Sequence, residues 1–284
     1  MINLPRILQL VVFVFVTAGL PAWSWTGLDE GLDIQSGTYL SENKQESFDY
    51  DALRIDLARF EIRVIDAREC CEGPASVRQM AKETGALAVV NGGFFDENEA
   101  PLGLIIANSR KMNELRPISW WAVFYIKKNL PAIALTRHFK HDQRITQALQ
   151  SGPRLLVKGR VPGKLKHQVC RRTAVALDKS GRVILVCTRE TKVSASLLGR
   201  FLGLSEKKGG LGCLDALNLD GGPSSQFYLE TGGHRLHIPG GWPVPNGIGV
   251  FRKNSKPKTS PIPEPGKAKG DDIIEPIQTA PAGP

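Results

Sequence analysis

The chain alternates between two hydrophobic rhythms. Ala52 to Asp66 puts an apolar residue at every second position and predicts one or two strands. Pro74 opens a stretch of mixed polarity over Ala75 to Thr84 that predicts a helix, with Gly85 as its stop. Ala86 to Val90 is wholly apolar, as a buried strand is, and runs straight into Asn91-Gly92-Gly93-Phe94-Phe95-Asp96. Trp120 to Ile126 predicts a further strand. Thr173 to Leu177 and Val183 to Cys187 flank Asp178-Lys179-Ser180-Gly181, a hairpin turn. Ser194 is placed to cap a helix whose Leu197, Leu198, Phe201 and Leu202 share one face. Ala216 to Leu219 is a short strand that ends at Asp220-Gly221-Gly222-Pro223-Ser224-Ser225. Together these elements predict an α+β domain over residues 28–252, built on one central, mixed and largely antiparallel sheet flanked by helices.

The two ends read differently. Arg6 precedes an almost uninterrupted apolar run from Ile7 to Leu20, then Pro21 and the small-residue site Ala22-Trp23-Ser24. Residues 1–24 therefore predict a signal peptide, with an uncleaved membrane anchor as the alternative. Both place the rest of the chain outside the cytoplasm, secreted or periplasmic. Residues 253–284 are rich in Pro, Lys and Gly without hydrophobic period and predict a disordered tail.

Charge narrows the partners. With 37 Lys and Arg against 28 Asp and Glu, the chain carries a formal +9, which favours an anionic partner. The basic residues are scattered and no aromatic-interleaved stripe occurs, so nucleic acid is not expected. No phosphate-binding G-x-x-x-x-G-K-[ST] motif is present. The five cysteines, Cys70, Cys71, Cys170, Cys187 and Cys213, include no C-x-x-C spacing, so neither a metal nor a cofactor is expected. Being odd in number, they cannot all pair within one chain.

Three strands end in glycine-rich polar turns: Asn91-Gly92-Gly93-Phe94-Phe95, Ser151-Gly152-Pro153-Arg154 and Asn218-Leu219-Asp220-Gly221-Gly222-Pro223-Ser224-Ser225. Glycine pairs let backbone amides approach a ligand and form anion-binding concavities. Arg171-Arg172-Thr173, at the open end of the hairpin, adds guanidinium groups that grip phosphate in bidentate fashion. Singly, Asp-Gly-Gly and Asn-Gly-Gly are turns, paired phenylalanines are core, and arginines are solvated.

In their order and spacing these segments resemble the phosphodiester glycosidase family, the family of the lysosomal uncovering enzyme. The resemblance spans about Ala86 to Phe251, with Asp215-Ala216-Leu217-Asn218-Leu219-Asp220-Gly221-Gly222-Pro223-Ser224-Ser225 its most specific part and Pro245 to Val250 a matching closing strand. It implies hydrolysis of a sugar 1-phosphodiester or related glycosidic bond in an extracellular or envelope glycan. A non-catalytic envelope protein binding an anionic glycan is the alternative. Asp220 is expected as nucleophile or general base, Arg172 as the phosphate contact and Asn91 as an orienting group. Thr173, Arg154, Ser151, Gly152, Gly92, Gly93, Asp96, Gly221, Gly222 and Ser224 are expected to bind substrate. Two departures stand out. Where family members carry Asp-Gly after the second hairpin strand, this chain has Cys187-Thr188-Arg189-Glu190, and Pro223 replaces a third glycine. A four-residue hairpin turn sets Arg172 opposite Cys187 or Thr188.

Overall fold

A computed structural model describes residues 24–253. The predicted leader and tail lie, but for one residue each, outside the described residues. What is described is not one central sheet flanked by helices. It is a mostly β structure of nineteen strands and three α-helices among the described residues, with every strand pairing antiparallel.

The strands form three large sheets. The first has seven strands, ordered Thr26–Asp29, Leu32–Leu40, Ser47–Ile55, Val183–Thr188, Thr173–Asp178, Cys213–Asn218 and Arg154–Leu156. The second runs Arg110–Asn113, Ile105–Ala107, Ile145–Ser151, Ala122–Lys127, Leu130–Leu135. The third runs His234–Ile238, Phe227–Thr231, Ala88–Asn91, Asn246–Arg252, Phe60–Asp66. Val169–Cys170 pairs with Val193–Ser194 as a separate ribbon.

The expectation of one sheet failed over residues 104–151, where one strand was read and five exist. Two of the hairpins there turn on Asn108-Ser109 and Lys128-Asn129, all four residues at positive φ. That is the geometry of a two-residue turn matched to strand twist, which a glycine usually announces. Without the glycine the turns are silent in sequence. The sheet is antiparallel throughout because hairpins and long returns connect it; parallel pairing needs crossover helices, and the helices here lie elsewhere.

One core lies between the three sheets, contributed by Leu53, Leu185 and Leu217 of the first, Phe124 and Leu149 of the second, and Val64, Val90 and Ile248 of the third. The outer faces of two sheets are covered by helices. Ala195–Gly203 lays Leu197, Leu198, Phe201 and Leu202 on the first sheet, and its N-cap Ser194 accepts the Leu197 amide at 3.2 Å. Val77–Thr84 covers the third sheet. It starts two residues later than predicted because Ser76, rather than Pro74, caps it, and it ends at Gly85 with φ 75° as expected.

Phe201 meets Tyr39, Phe48 and Tyr50 with ring centroids 5.0, 5.4 and 4.4 Å away. No water reaches it. Phe201→Ala is expected to lower unfolding free energy by about 3–5 kcal/mol, measured by denaturant titration. Trp242→Ala, at a side chain more than half exposed, should stay within about 0.5 kcal/mol.

Candidate active site

Two of the glycine-rich turns and the open end of the hairpin converge on Asn91, the last residue of its strand. Its carboxamide is fully buried and makes three hydrogen bonds. The nitrogen donates to the Asp220 carbonyl at 2.9 Å. The oxygen accepts from the Thr173 hydroxyl at 2.7 Å and the Gln226 amide at 3.1 Å. The Asp220 amide in turn donates to Gly92 O. Asn91, Gly92, Thr173 and Asp220 are thus brought together, but the polar atoms of Asn91 face protein rather than an open space.

Asn218 is a second such tie. It accepts from Arg172 Nη1 at 3.3 Å and donates to Gly152 O at 3.1 Å, joining the third turn to the hairpin end. Asn246 is a third, accepting the Gly93 amide at 2.7 Å. These contacts explain the Gly92-Gly93 pair. A Cβ on Gly92 would overlap the Asn246 side chain, and one on Gly93 would lie 2.6 Å from Gln150 O. The glycines allow chain segments to approach each other. Asn218 and Asn246 were not among the predicted site residues. Their signal was available: each is an amide at the boundary of an apolar strand, as Asn91 is.

Asp220 stands where strand becomes turn. Burial raises its carboxyl pKa, opposed by hydrogen bonds from the Ser224 side chain and the Gly221 amide, the latter at 2.9 Å. The carboxyl opens on a cavity of about 580 Å³ lined by Phe94, Phe95, Asp96, Glu97, Glu99, Asp220, Trp242 and Pro243. That size holds a small ligand. Trp242, mostly exposed, and the paired phenylalanines give it apolar walls. Asp96 reaches it but also closes its own turn, accepting from the Asn98 and Ala100 amides.

Two arginines adjoin the turn, which is bonded to the first through the Gly222 amide and Arg171 O. Arg171 donates to the Ser225 and Pro239 carbonyls at 2.8 and 2.9 Å. Arg172, 6% exposed, donates to the Val193 and Gln168 carbonyls and to Asn218. Burial lowers its pKa, though a guanidinium remains charged. Neither has a carboxylate within ion-pair distance among the described residues, where twelve other arginines do. Gly222 and Gly221 adjoin them: the Gly222 amide donates to Arg171 O, and a Cβ on Gly221 would lie 3.2 Å from Cys170 Sγ. Both amides expected to cradle an anion are therefore already bonded, Gly221 to Asp220 and Gly222 to Arg171.

The remaining predicted residues divide. Ser224 supports Asp220. Ser151 is buried at its strand end with a hydroxyl that has no hydrogen-bond partner among the described residues. Gly152 packs against Trp121, 2.9 Å from where its Cβ would be. Arg154 is ion-paired with Asp215, so its charge is spent. At the departure from the family pattern, Arg172 faces Thr188, exchanging hydrogen bonds of 2.8 Å through the Thr188 hydroxyl and both backbones. Cys187 is fully buried beside Thr173, its thiol pKa pushed up to about 12 by burial. Glu190 is exposed.

Asn91→Ala removes three hydrogen bonds and strands their partners. At about 1 kcal/mol each, it should destabilise the fold by about 3 kcal/mol in denaturant unfolding. A change below about 1 kcal/mol would show that the tie is dispensable.

Residues 84–251 match the phosphodiester glycosidase family. Among curated proteins the chain is similar to the uncharacterized protein YigE of Escherichia coli K12, 30% identical over 112 residues. That alignment covers 36% of this chain and 44% of the relative, so the chain spans less than half the length of that relative. Among solved structures it is similar to the catalytic domain of zebrafish N-acetylglucosamine-1-phosphodiester alpha-N-acetylglucosaminidase, auto-inhibited there by its pro-peptide. The TM-score is 0.59 and the identity 19%, over 83% of this chain and 84% of that one. A hypothetical protein from Synechocystis gives a TM-score of 0.58 at 17% identity, over 83% of this chain and 65% of that one. The structures share the fold, and the match over 84–251 takes in the strand end at Asn91, the hairpin at Arg172 and the turn at Asp220, so this chain belongs to the phosphodiester glycosidase family.

Proposed function

We propose that the protein is an exported hydrolase that cleaves a sugar 1-phosphodiester, with Asp220 as nucleophile or general base and Arg172 as the group that neutralises the departing phosphate. The observation that carries this reading is the turn at residues 220–222. It holds a largely buried carboxyl with a raised pKa, and it is bonded through the Gly222 amide to Arg171, which with Arg172 has no carboxylate partner among the described residues.

Cleavage at an anomeric carbon passes through an oxocarbenium-like state. A phosphomonoester is a good leaving group, so less protonation is needed than for an ordinary glycoside. The reaction needs charge neutralisation at the phosphate and a carboxylate near the anomeric carbon or its water. The aromatic walls suit the apolar face of a sugar ring. Asp96, Glu97 and Glu99 on the rim repel an anion, which puts the sugar in the cavity and the phosphate toward the arginines. Arg171 joins Arg172 as a phosphate contact in this arrangement. The amides of Gly221 and Gly222 and the hydroxyl of Thr173, engaged within the protein, do not.

A non-catalytic protein binding an anionic glycan is the second reading. The hairpin end favours it: where family members carry Asp-Gly after the second strand, this chain has Arg189-Glu190, with Glu190 exposed.

Asp220→Asn separates the two. Asparagine keeps the acceptor for the Gly221 amide, so the turn survives. Because the folded-state pKa of Asp220 is raised, ionisation disfavours the folded state at pH values above the ordinary carboxyl range. The variant should therefore melt at the same or a higher temperature at pH 7, with the difference closing as pH falls through and below that range. Turnover of a chromogenic sugar 1-phosphodiester should drop about 100-fold or more. A folded variant with wild-type turnover would remove Asp220 from the chemistry, and no turnover by the wild type on a panel of such diesters would favour the binding protein.

The phosphate assignment is tested separately. A chromogenic glycoside of the same sugar without phosphate should be hydrolysed at least about 100-fold less efficiently, about 3 kcal/mol of lost transition-state stabilisation. Equal kcat/KM for the two would contradict the role of Arg172.

A further inference from the structure

Cys70 and Cys71 are adjacent in sequence, and their sulfurs lie 3.0 Å apart. Neighbouring residues in a helix or strand point their side chains in different directions. Here the short helix Ala67–Cys70 ends at the first cysteine, and Cys71 takes φ −135° and ψ 10° as its C-cap. The break in helical geometry swings the two side chains together. Both residues are half-buried, against a buried cluster on which Phe95 also packs, and both keep access to solvent. The turn that carries them is laced to the segment behind the cavity wall: the Ala67 amide donates to Pro245 O, and Ala75 bridges Val244.

The remaining cysteines are placed differently. Cys187 and Cys213 are buried, and burial raises both thiols well above the usual range. Cys170 stands alone by Gly221. At the vicinal pair the Cys70 side chain hydrogen-bonds to Cys71, lowering the Cys71 pKa and raising that of Cys70. One thiol is thus readied to attack and the other to follow.

We propose that Cys70 and Cys71 form a reversible dithiol–disulfide pair that exchanges with small-molecule or protein disulfides. The Cys71 thiolate attacks one sulfur of the incoming disulfide, whose S–S bond breaks and releases one thiol. Cys70 then loses its proton and attacks Cys71 Sγ, releasing the second thiol. Two protein thiols are oxidised and one disulfide is reduced to two thiols. The ring closes with a movement of about 1 Å, since a disulfide bond is about 2.05 Å long. It is not a structural staple. Adjacent Cα atoms are about 3.8 Å apart, whereas unstrained disulfides span about 4.4–6.8 Å. A bond formed across the shorter span is strained, and strained, accessible disulfides are the readily reduced ones.

The test uses the full chain, without denaturant, in buffers of excess oxidised or excess reduced glutathione. Free thiols are blocked by an alkylating reagent and the peptides are analysed by mass spectrometry. The peptide holding both cysteines should lose two hydrogens and take no alkyl group in the oxidising buffer, and should be doubly alkylated in the reducing one. Cys70→Ser should instead leave Cys71 as a mixed disulfide with glutathione. The proposal fails if both wild-type thiols stay alkylatable while Cys71 of that variant is modified, or if each wild-type thiol takes its own glutathione. It also fails if the closed form resists excess reduced glutathione, which would make it a staple.

Discussion

The site depends on one buried side chain. Asn91 joins the hairpin end at Thr173, the turn at Asp220 and the strand entry at Gln226, segments separated by up to 135 residues in sequence. A carboxamide suits this task because it offers donors and acceptors at once without charge. Aspartate could accept from Thr173 and Gln226 but could not donate to the Asp220 carbonyl unless protonated. With Thr173 and Gln226 buried and Asp220 partly so, an apolar residue would strand three polar groups in a setting of reduced dielectric, where each lost bond is expensive. Asn91 ends a strand whose remaining residues are all core, so its position is set by the sheet. The site inherits that rigidity.

The same logic explains the glycines. Once Asn91, Asn218 and Asn246 draw the strand ends together, no room remains for side chains where the backbones meet. Gly92 and Gly93 are fixed by that crowding. Gly222 differs: a Cβ there would meet nothing, and its φ of 60° is what requires glycine. The motif glycines therefore answer to two constraints, close approach and backbone conformation, and the direct demand of a ligand is not needed to account for them.

The legible part of the sequence was the part governed by local rules. The hairpin from Thr173 to Thr188 was read because Asp178 and Gly181 mark its turn, and the register places Arg172 beside Thr188 as that turn length requires. The helix Ala195–Gly203 was read from its cap and apolar face, and Val77–Thr84 from Pro74 before it and the stop at Gly85. The second sheet was hidden because Asn108, Ser109, Lys128 and Asn129 adopt positive φ without a glycine to signal it. The number of sheets was hidden for a different reason: a buried strand looks the same whichever sheet it joins. Within the site, sequence order identified the converging segments but not what their atoms face. That Arg154 spends its charge on Asp215, and that the Gly221 and Gly222 amides bond inside the chain, are outcomes of distant contacts.

Electrostatics gives the arrangement its direction. Most arginines with ion pairs sit beside a carboxylate that cancels their charge, whereas Arg171 and Arg172 rest on carbonyl oxygens. Carbonyl dipoles solvate a guanidinium but leave its net charge intact, so the field persists. In an interior of reduced dielectric that field is stronger than it would be at the surface. The nearest turn carries Asp220 with a bonded Oδ1 pointing at the Gly221 amide and no arginine bonded to it. An ion pair between them would quench both groups, holding the carboxylate ionised and consuming the cation. Leaving them unpaired preserves a carboxyl whose proton affinity is raised and a positive charge that no carboxylate of the described residues cancels. A ligand that is uncharged at one end and anionic at the other complements both, with its junction at the turn.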